Sequence, residues 1–330
     1  MWGARLLVLL PATACALVVS GPTRAAVRHA APPMRFGSGQ VAASAAVEQW
    51  ATEEQIGPYI KIGRKQDKVI NWYGGILFAL PALLVGTIWY VTMCLMEPVL
   101  VRTGWDDKRR WFDWTGRVWN FIVLRTTGNY PRVITGLENI PKQDEAALIC
   151  ANHASWYDIL LAGYTIRSNF KFVSAAELAE LPGVGKQLYG GKHVLIDRKS
   201  RKGQLRSFKD SVKWLSKGVS VFAFPEGTRS RDGRLQRFKP GVFAMATKAN
   251  VPIVPVSIVN AFKPYPPNAL LPIQKATDME IHFHAPISSA NRTEAELEEL
   301  VRAAIASKLG PDQLPEVTAG GAAQKEAVAA

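Results

Sequence analysis

Three observations predict an α/β fold, a mixed sheet flanked by helices and preceded by an N-terminal membrane helix or helical hairpin. From about Val133 onward, short apolar runs alternate with amphipathic segments, as strands alternating with helices do. Ahead of them, Ile76 to Met96 is a stretch of 21 residues without a charge, long enough to cross a bilayer. The third observation is chemical: two of the predicted strands run straight into polar turns, Asn152-His153 and Pro225-Glu226-Gly227-Thr228-Arg229. Reactive side chains on such scaffolds are commonly held at strand ends.

The first 47 residues hold four arginines (Arg5, Arg24, Arg28, Arg35) and no Asp, Glu or Lys. Leu6 to Val19 has the length of a signal core, and small residues near Ala25-Ala26 supply a cleavage site. The Ala/Pro-rich, acid-free stretch behind it has the composition of a transit peptide. The pair predicts bipartite targeting to a plastid bounded by extra membranes, with the endoplasmic reticulum as the alternative. Residues 48–115 are then expected to anchor the chain in a membrane. Trp72 and Tyr73 precede the apolar stretch and Trp105, Trp111 and Trp114 follow it, where interfacial aromatics belong. Pro81 and Gly86 leave a re-entrant hairpin in competition with a single span. Arg102 and Lys108-Arg109-Arg110 are expected against anionic headgroups.

Over the whole chain 40 Lys/Arg face 27 acids, a formal charge of +13 that calls for an anionic partner. Residues 198–248 concentrate the excess, with 14 Lys/Arg against Asp210, Glu226 and Asp232. The three cysteines are far apart with no CxxC, which argues against a disulfide framework or a zinc site.

Taken in order, Val133–Pro141 reads as strand and turn, and Ala146–Ala151 as a buried strand. Phe170–Val173, His193–Ile196, Val219–Phe224 and Val251–Val256 are further strands. Gly203–Lys217 spaces Leu205, Phe208, Val212 and Leu215 as a helix does. Thr293 to Glu296 forms a capping box opening a C-terminal helix, and the Ala/Gly-rich tail beyond Thr318 is expected to be disordered.

On a continuous helix His153 and Asp158 would point about 140° apart, because 3.6 residues make a turn. If His153 lies in the turn and Asp158 in the first helical turn, the carboxylate can hold one ring nitrogen and leave the other free as a base. A plainer reading makes Ser155-x-x-Asp158 a capping box, with Asn152 and His153 ordinary turn residues. Both stand open on this stretch alone. In the second turn an arginine at 229 can grip a phosphate in bidentate fashion, and Glu226 can accept from a hydroxyl. A surface turn closed by a Glu–Arg pair is the alternative.

Asn152-His153-x4-Asp158, Ile196-Asp197-Arg198, Phe224-Pro225-Glu226-Gly227-Thr228-Arg229-Ser230 and Val251-Pro252-Ile253-Val254-Pro255-Val256 stand in the order of four blocks. In this the sequence resembles the glycerolipid acyltransferase family, lysophosphatidate acyltransferases above all, over about residues 130–290. The resemblance implies His153 as general base, Asp158 as its orienting partner, and Arg198, Glu226, Gly227, Thr228 and Arg229 as contacts to the glycerophosphate acceptor. It makes the 251–256 block structural or part of an acyl channel. It also implies direct transfer from acyl-CoA or acyl-ACP to lysophosphatidate, with no metal, no cofactor and no covalent intermediate. Expected partners are these substrates, membrane lipids and an acyl carrier protein, with no nucleic acid. The expected division is targeting region 1–47, membrane anchor 48–115, acyltransferase domain 116–310 and tail 311–330. One departure stands out: relatives often carry a lysine where this chain reads Ala175-Ala176. Lys171 or Lys186 would then have to compensate, or the acceptor differs.

Two other readings compete. A thioesterase could use Cys150 as nucleophile, although the chain has no G-x-S-x-G elbow. A non-catalytic basic membrane-binding protein would account for the charge and the apolar stretch, but not for the paired turns.

Overall fold

The computed structural model describes residues 59–62, 68–181, 183–267 and 269–315. The targeting expectation for residues 1–47 and most of the tail expectation lie outside the described residues. Strands β1 (Tyr59–Ile62) and β2 (Lys68–Asn71) pair antiparallel as a separate ribbon. A π-wound segment, Tyr73–Phe78, then leads into helix α1 (Ala79–Thr103). The winding changes just before Pro81, whose ring offers no N–H to the turn behind it. Residues 73–103 thus form one helix of 31 residues containing an 18-residue window with a mean hydropathy of 2.0, long and apolar enough to cross a membrane. Of the two alternatives left open for this stretch, a single helix and a hairpin, the single helix is the one that forms. Gly104, at φ +63°, closes α1 by donating its N–H to the Leu100 carbonyl, and the chain returns through α2 (Arg110–Thr126).

The main sheet has seven strands in the order β3-β9-β8-β4-β7-β5-β6. They are β3 (Val133–Thr135), β4 (Leu148–Ala151), β5 (Phe170–Ala175), β6 (Val194–Ile196), β7 (Ser220–Ala223), β8 (Ile253–Val259) and β9 (Glu280–Phe283). Strands β8, β4, β7, β5 and β6 run parallel, and β9 pairs antiparallel with β8. The five consecutive parallel strands end on one edge, where their loops gather. The helices of the second half are α3 (Tyr157–Thr165), α4 (Val184–Gly190), α5 (Arg201–Ser216), α6 (Phe243–Ala249) and α7 (Glu294–Ala306). Thr293 and Glu296 cap α7 with the reciprocal bonds of a capping box, as the sequence predicts.

Alternation along β4 divides the core into two layers. Ile149 and Ala151 face α2 and α3, and the start of α1 joins this layer through Phe78 and Ala82. Leu148 and Cys150 face the other way, toward Leu215 of α5, Ala246 of α6 and Val301 of α7. Cys150 is therefore a fully buried core residue, and burial pushes its thiol well above the usual range, which leaves no accessible nucleophile there. Residues 253–256 of the proline-rich block open β8 and are buried between β4 and β9, while Val251 is half-buried and Pro252 exposed ahead of the strand.

Neither β9 nor α2 is anticipated from the sequence. In α2, Phe112, Trp119 and Val123 pack inward while Trp114 and Phe121 stay exposed. Part of the basic cluster beside it is bound within the protein: Lys108 and Arg110 both pair with Asp144, at 2.5 and 2.6 Å.

Candidate active site

Strands β4 and β7 are hydrogen-bonded neighbours with Cys150 opposite Ala223. Counting three residues past each partner brings His153 beside Glu226, so the two polar turns emerge as an adjacent pair. The His153 backbone N–H donates to Glu226 Oε1 at 2.8 Å, and the Ser230 N–H donates to the His153 carbonyl at 2.8 Å. The Gln236 N–H donates to Glu226 Oε2. Glu226 is thus a buried brace between turns and does not line the cleft above them. Burial raises its carboxyl to about 8, outweighing the two N–H donors that favour the charged form.

The first turn follows the first reading: of the capping box only the bond from the Ser155 N–H to Asp158 forms, because the helix is capped at Trp156 with no side-chain bond. Asp158, 1% exposed, takes hydrogen bonds on Oδ2 from the Ala154 and Ser155 N–H groups at 2.7 and 2.8 Å. The same oxygen meets His153 Nδ1 at 2.8 Å. A carboxylate only accepts, so Nδ1 carries the proton and Nε2 keeps its lone pair. The imidazole lies flat on Phe224, with ring centroids 3.8 Å apart. Burial lowers the His153 pKa below its usual value; Asp158 opposes this, while Arg229 and Arg198 add to it. The ring is therefore neutral at neutral pH.

His153 opens into a cleft of about 1320 Å³. Arg198, Gly227, Thr228 and Arg229 line it, so the structure gathers five of the seven singled-out residues around one space. Asp158 acts from behind through His153. Arg229 stacks its guanidinium 4.2 Å over the Trp156 ring, and its buried Nη1 has no hydrogen-bond partner. An unmet buried guanidinium donor is costly unless an anion completes it.

Lys239 is a lining residue that the sequence analysis overlooks. Its N–H is anchored on the Pro225 carbonyl, and its side chain lies against Gly227, where a Cβ would meet Nζ at 2.6 Å. Gly227 also has φ +77°, so both its backbone and the approach of the lysine call for glycine. The two lysines proposed to compensate for Ala175-Ala176 are employed elsewhere. Lys171 is fully buried and pairs with Asp113 at 2.7 Å, and Lys186 pairs with Glu97. Lys239 supplies a lysine to this cleft from a different loop.

A second cavity of about 920 Å³, mostly apolar, shares Trp156, Ile159, Phe172, Ser174 and Leu178 with the cleft. It runs beneath β5 toward Phe170, a length of roughly 13 Å at the rise of a strand. Trp89 of α1, stacked on Trp119, forms one wall, and Asp113 and His193 lie among its lining residues. The sequence contains no local signal for this chamber, because its walls come from α1, α2, α3, β5 and α4.

This geometry agrees with comparisons to known proteins. Residues 132–259 match the Acyltransferase family model. A 1-acyl-sn-glycerol-3-phosphate acyltransferase of Chlamydomonas reinhardtii is 30% identical over 251 residues, which cover 74% of this chain and 71% of that one. A chloroplastic 1-acyl-sn-glycerol-3-phosphate acyltransferase of Arabidopsis thaliana is 35% identical over 196 residues, covering 58% of this chain and 53% of the relative. The crystal structure of the 1-acyl-sn-glycerophosphate acyltransferase from Thermotoga maritima aligns with a TM-score of 0.50 at 25% identity, covering 68% of this chain and 93% of that one. The chain belongs to the 1-acyl-sn-glycerol-3-phosphate acyltransferase family.

Proposed function

We propose that this enzyme moves a fatty acyl group from a thioester to the free hydroxyl of 1-acyl-sn-glycerol-3-phosphate, with His153 as general base. The observation that carries the reading is a single cleft in which a neutral, oriented imidazole faces three cations and adjoins an apolar chamber. The acceptor phosphate lies against Arg229, Lys239 and Arg198, and the donor's acyl chain fills the chamber. His153 Nε2 takes the hydroxyl proton as the oxygen attacks the thioester carbonyl. The carbon–sulfur bond breaks, and the proton passes to the departing thiolate. A thioester is already activated, so a base and an oriented alcohol suffice without a covalent intermediate.

The test is acyl transfer from radiolabelled acyl thioester to a panel of acceptors. Phosphatidate formed from lysophosphatidate supports the reading; thioester hydrolysis without transfer would sink it. In that assay Arg229→Lys should lower kcat/KM for the phosphorylated acceptor roughly ten- to hundredfold, mostly through KM. It removes one charge-assisted bidentate contact of about 1.5–3 kcal/mol. The pH profile gives a separate check. Because burial holds the His153 pKa below 6.5, the base is lost only as pH falls through that lower value. The acid limb of kcat/KM should therefore have its midpoint below pH 6.5.

The same proposal attaches the enzyme to a membrane through α1. Leu80, Leu84, Ile88 and Leu95 form an exposed apolar face, while Phe78, Met93 and Leu100 pack on the domain behind it. A helix held along its length in this way lays one face in lipid beside the domain. The plastid is the compartment that best fits the acid-free leader and the chloroplastic relatives. Import of a tagged full-length chain into that organelle is the direct test.

A further inference from the structure

Helix α7 lies beyond the segment that matches the family model, yet Arg302 connects it to the chemistry. Glu298 and Glu299 stand four and three residues before Arg302, the spacing at which ion pairs form along a helix. Among the described residues no ion pair to Arg302 forms. Its Nη1 donates instead to the Gln236 carbonyl, and the guanidinium lies 5.3 Å over the Phe238 ring. The helix beneath it is firmly seated, because Leu297, Val301 and Ile305 are fully buried in the core layer that holds Leu148 and Cys150.

Gln236 is the next link. Its carbonyl takes the Arg302 bond, and its N–H donates to Glu226 Oε2 at 3.2 Å. Glu226 Oε1 holds the His153 N–H at 2.8 Å, and the Ser230 N–H holds the His153 carbonyl. Three hydrogen bonds thus lead from a C-terminal helix to the backbone of the residue that carries the imidazole. Glu226 is 3% exposed, so a displaced Gln236 N–H would leave Oε2 with little access to water in its place. Burial raises the Glu226 pKa, and the Arg302 charge is among the influences that oppose it. The geometry of a general base is sensitive to such support: a misplacement of about 1 Å costs on the order of 10²-fold.

Resting on the reading of His153 as the base, we propose that Arg302 is a positioning residue for the reaction, holding the His153 turn in place through Gln236 and Glu226. Arg302 does not line the cleft, so its effect falls on kcat and not on the KM of the acceptor.

The test measures transfer to lysophosphatidate by the full chain in vesicles, with the thioester donor that the parent turns over, beside thermal unfolding of each variant. Arg302→Met should lower kcat roughly ten- to hundredfold and leave the acceptor KM within about twofold. Arg302→Lys, which keeps a cation able to donate to one carbonyl, should recover most of that kcat. The decisive comparison is made in a Glu226→Gln background, where a carboxamide accepts at only one of its two ends and the relay is already broken. Adding Arg302→Met there should change kcat by less than about twofold. Arg302→Gln, a milder truncation, carries the same comparison if Arg302→Met does not fold. Equal fold-losses in the two backgrounds would overturn the proposal, as would a loss confined to KM. Parental kcat in the variant, even with a lowered unfolding temperature, would overturn it too and leave Arg302 as a fastening of α7 alone. His153→Ala at parental kcat would remove the reading of the base itself, a distinct failure.

Discussion

His153→Ala should reduce acyl transfer to lysophosphatidate by about 10²–10⁴-fold, the range in which a positioned general base contributes. The loss should fall on kcat, because the cations that hold the acceptor phosphate belong to other loops. Only the side chain is removed, so the backbone bonds from His153 to Glu226 and from Ser230 to His153 survive and the turn should keep its shape. Asp158→Asn is the informative companion. It removes the charge that orients the imidazole, and it also puts an amide where Oδ2 now accepts from two backbone N–H groups. It should therefore lower both kcat and thermal stability, whereas His153→Ala lowers kcat alone. Single-turnover rates together with unfolding curves separate the two. A His153→Ala enzyme that retains parental kcat would sink the assignment of the base.

The largest effect on stability is expected away from the reaction. Lys171 of β5 is fully buried and bonded to Asp113 of α2, whose other oxygen has no hydrogen-bond partner and lies 3.6 Å from His193 Nε2. Burial raises the Asp113 carboxyl to about 7 and lowers the Lys171 and His193 pKa values. Lys171→Met strands Asp113 without its partner and should cost about 3–5 kcal/mol, the range for breaking a buried ion pair. Lys171→Met/Asp113→Leu, which removes both charges, should recover most of that loss. The single variant should also show a pH signature. Asp113 without Lys171 prefers its neutral form still more strongly, so the folded state holds a proton that the unfolded chain releases near pH 4. Stability of Lys171→Met should then fall as pH rises from about 4, and go on falling to a higher pH than in the parent. Thermal unfolding at several pH values measures both effects. A double variant no more stable than the single one would show that the pair is not what couples α2 to the sheet.

Much of the site was readable because it is local. His153 and Asp158 are five residues apart, and residues 224–230 form one turn, so residue types and spacing carry their own geometry. The neighbouring positions of the two turns are less local, since they depend on β4 pairing with β7 across a gap of some seventy residues. The matched pattern of strand followed by polar turn hinted at this without giving the register. Lys171 shows where such reading stops. In the sequence it stands as a lysine that could hold the phosphate, and only the packing of α2 shows that Asp113 takes it. Lys239 was hidden for the opposite reason: in a run of basic residues nothing distinguishes the one whose loop folds back on Gly227. The apolar stretch at 76–96 fixed a helix but not its continuity, and one winding change before Pro81 did the work expected of a break.

The chamber beneath β5 has a wall that belongs to two environments. Trp89 lines the cavity, and Leu84 and Ile88 on the same helix face outward. On the proposed reading, what would separate a bound fatty chain from surrounding lipid at that point is the helix that carries these side chains. Interior and bilayer there form nearly one apolar medium divided by a thin partition. For a hydrophobic tail the enzyme would then be an alcove off the membrane.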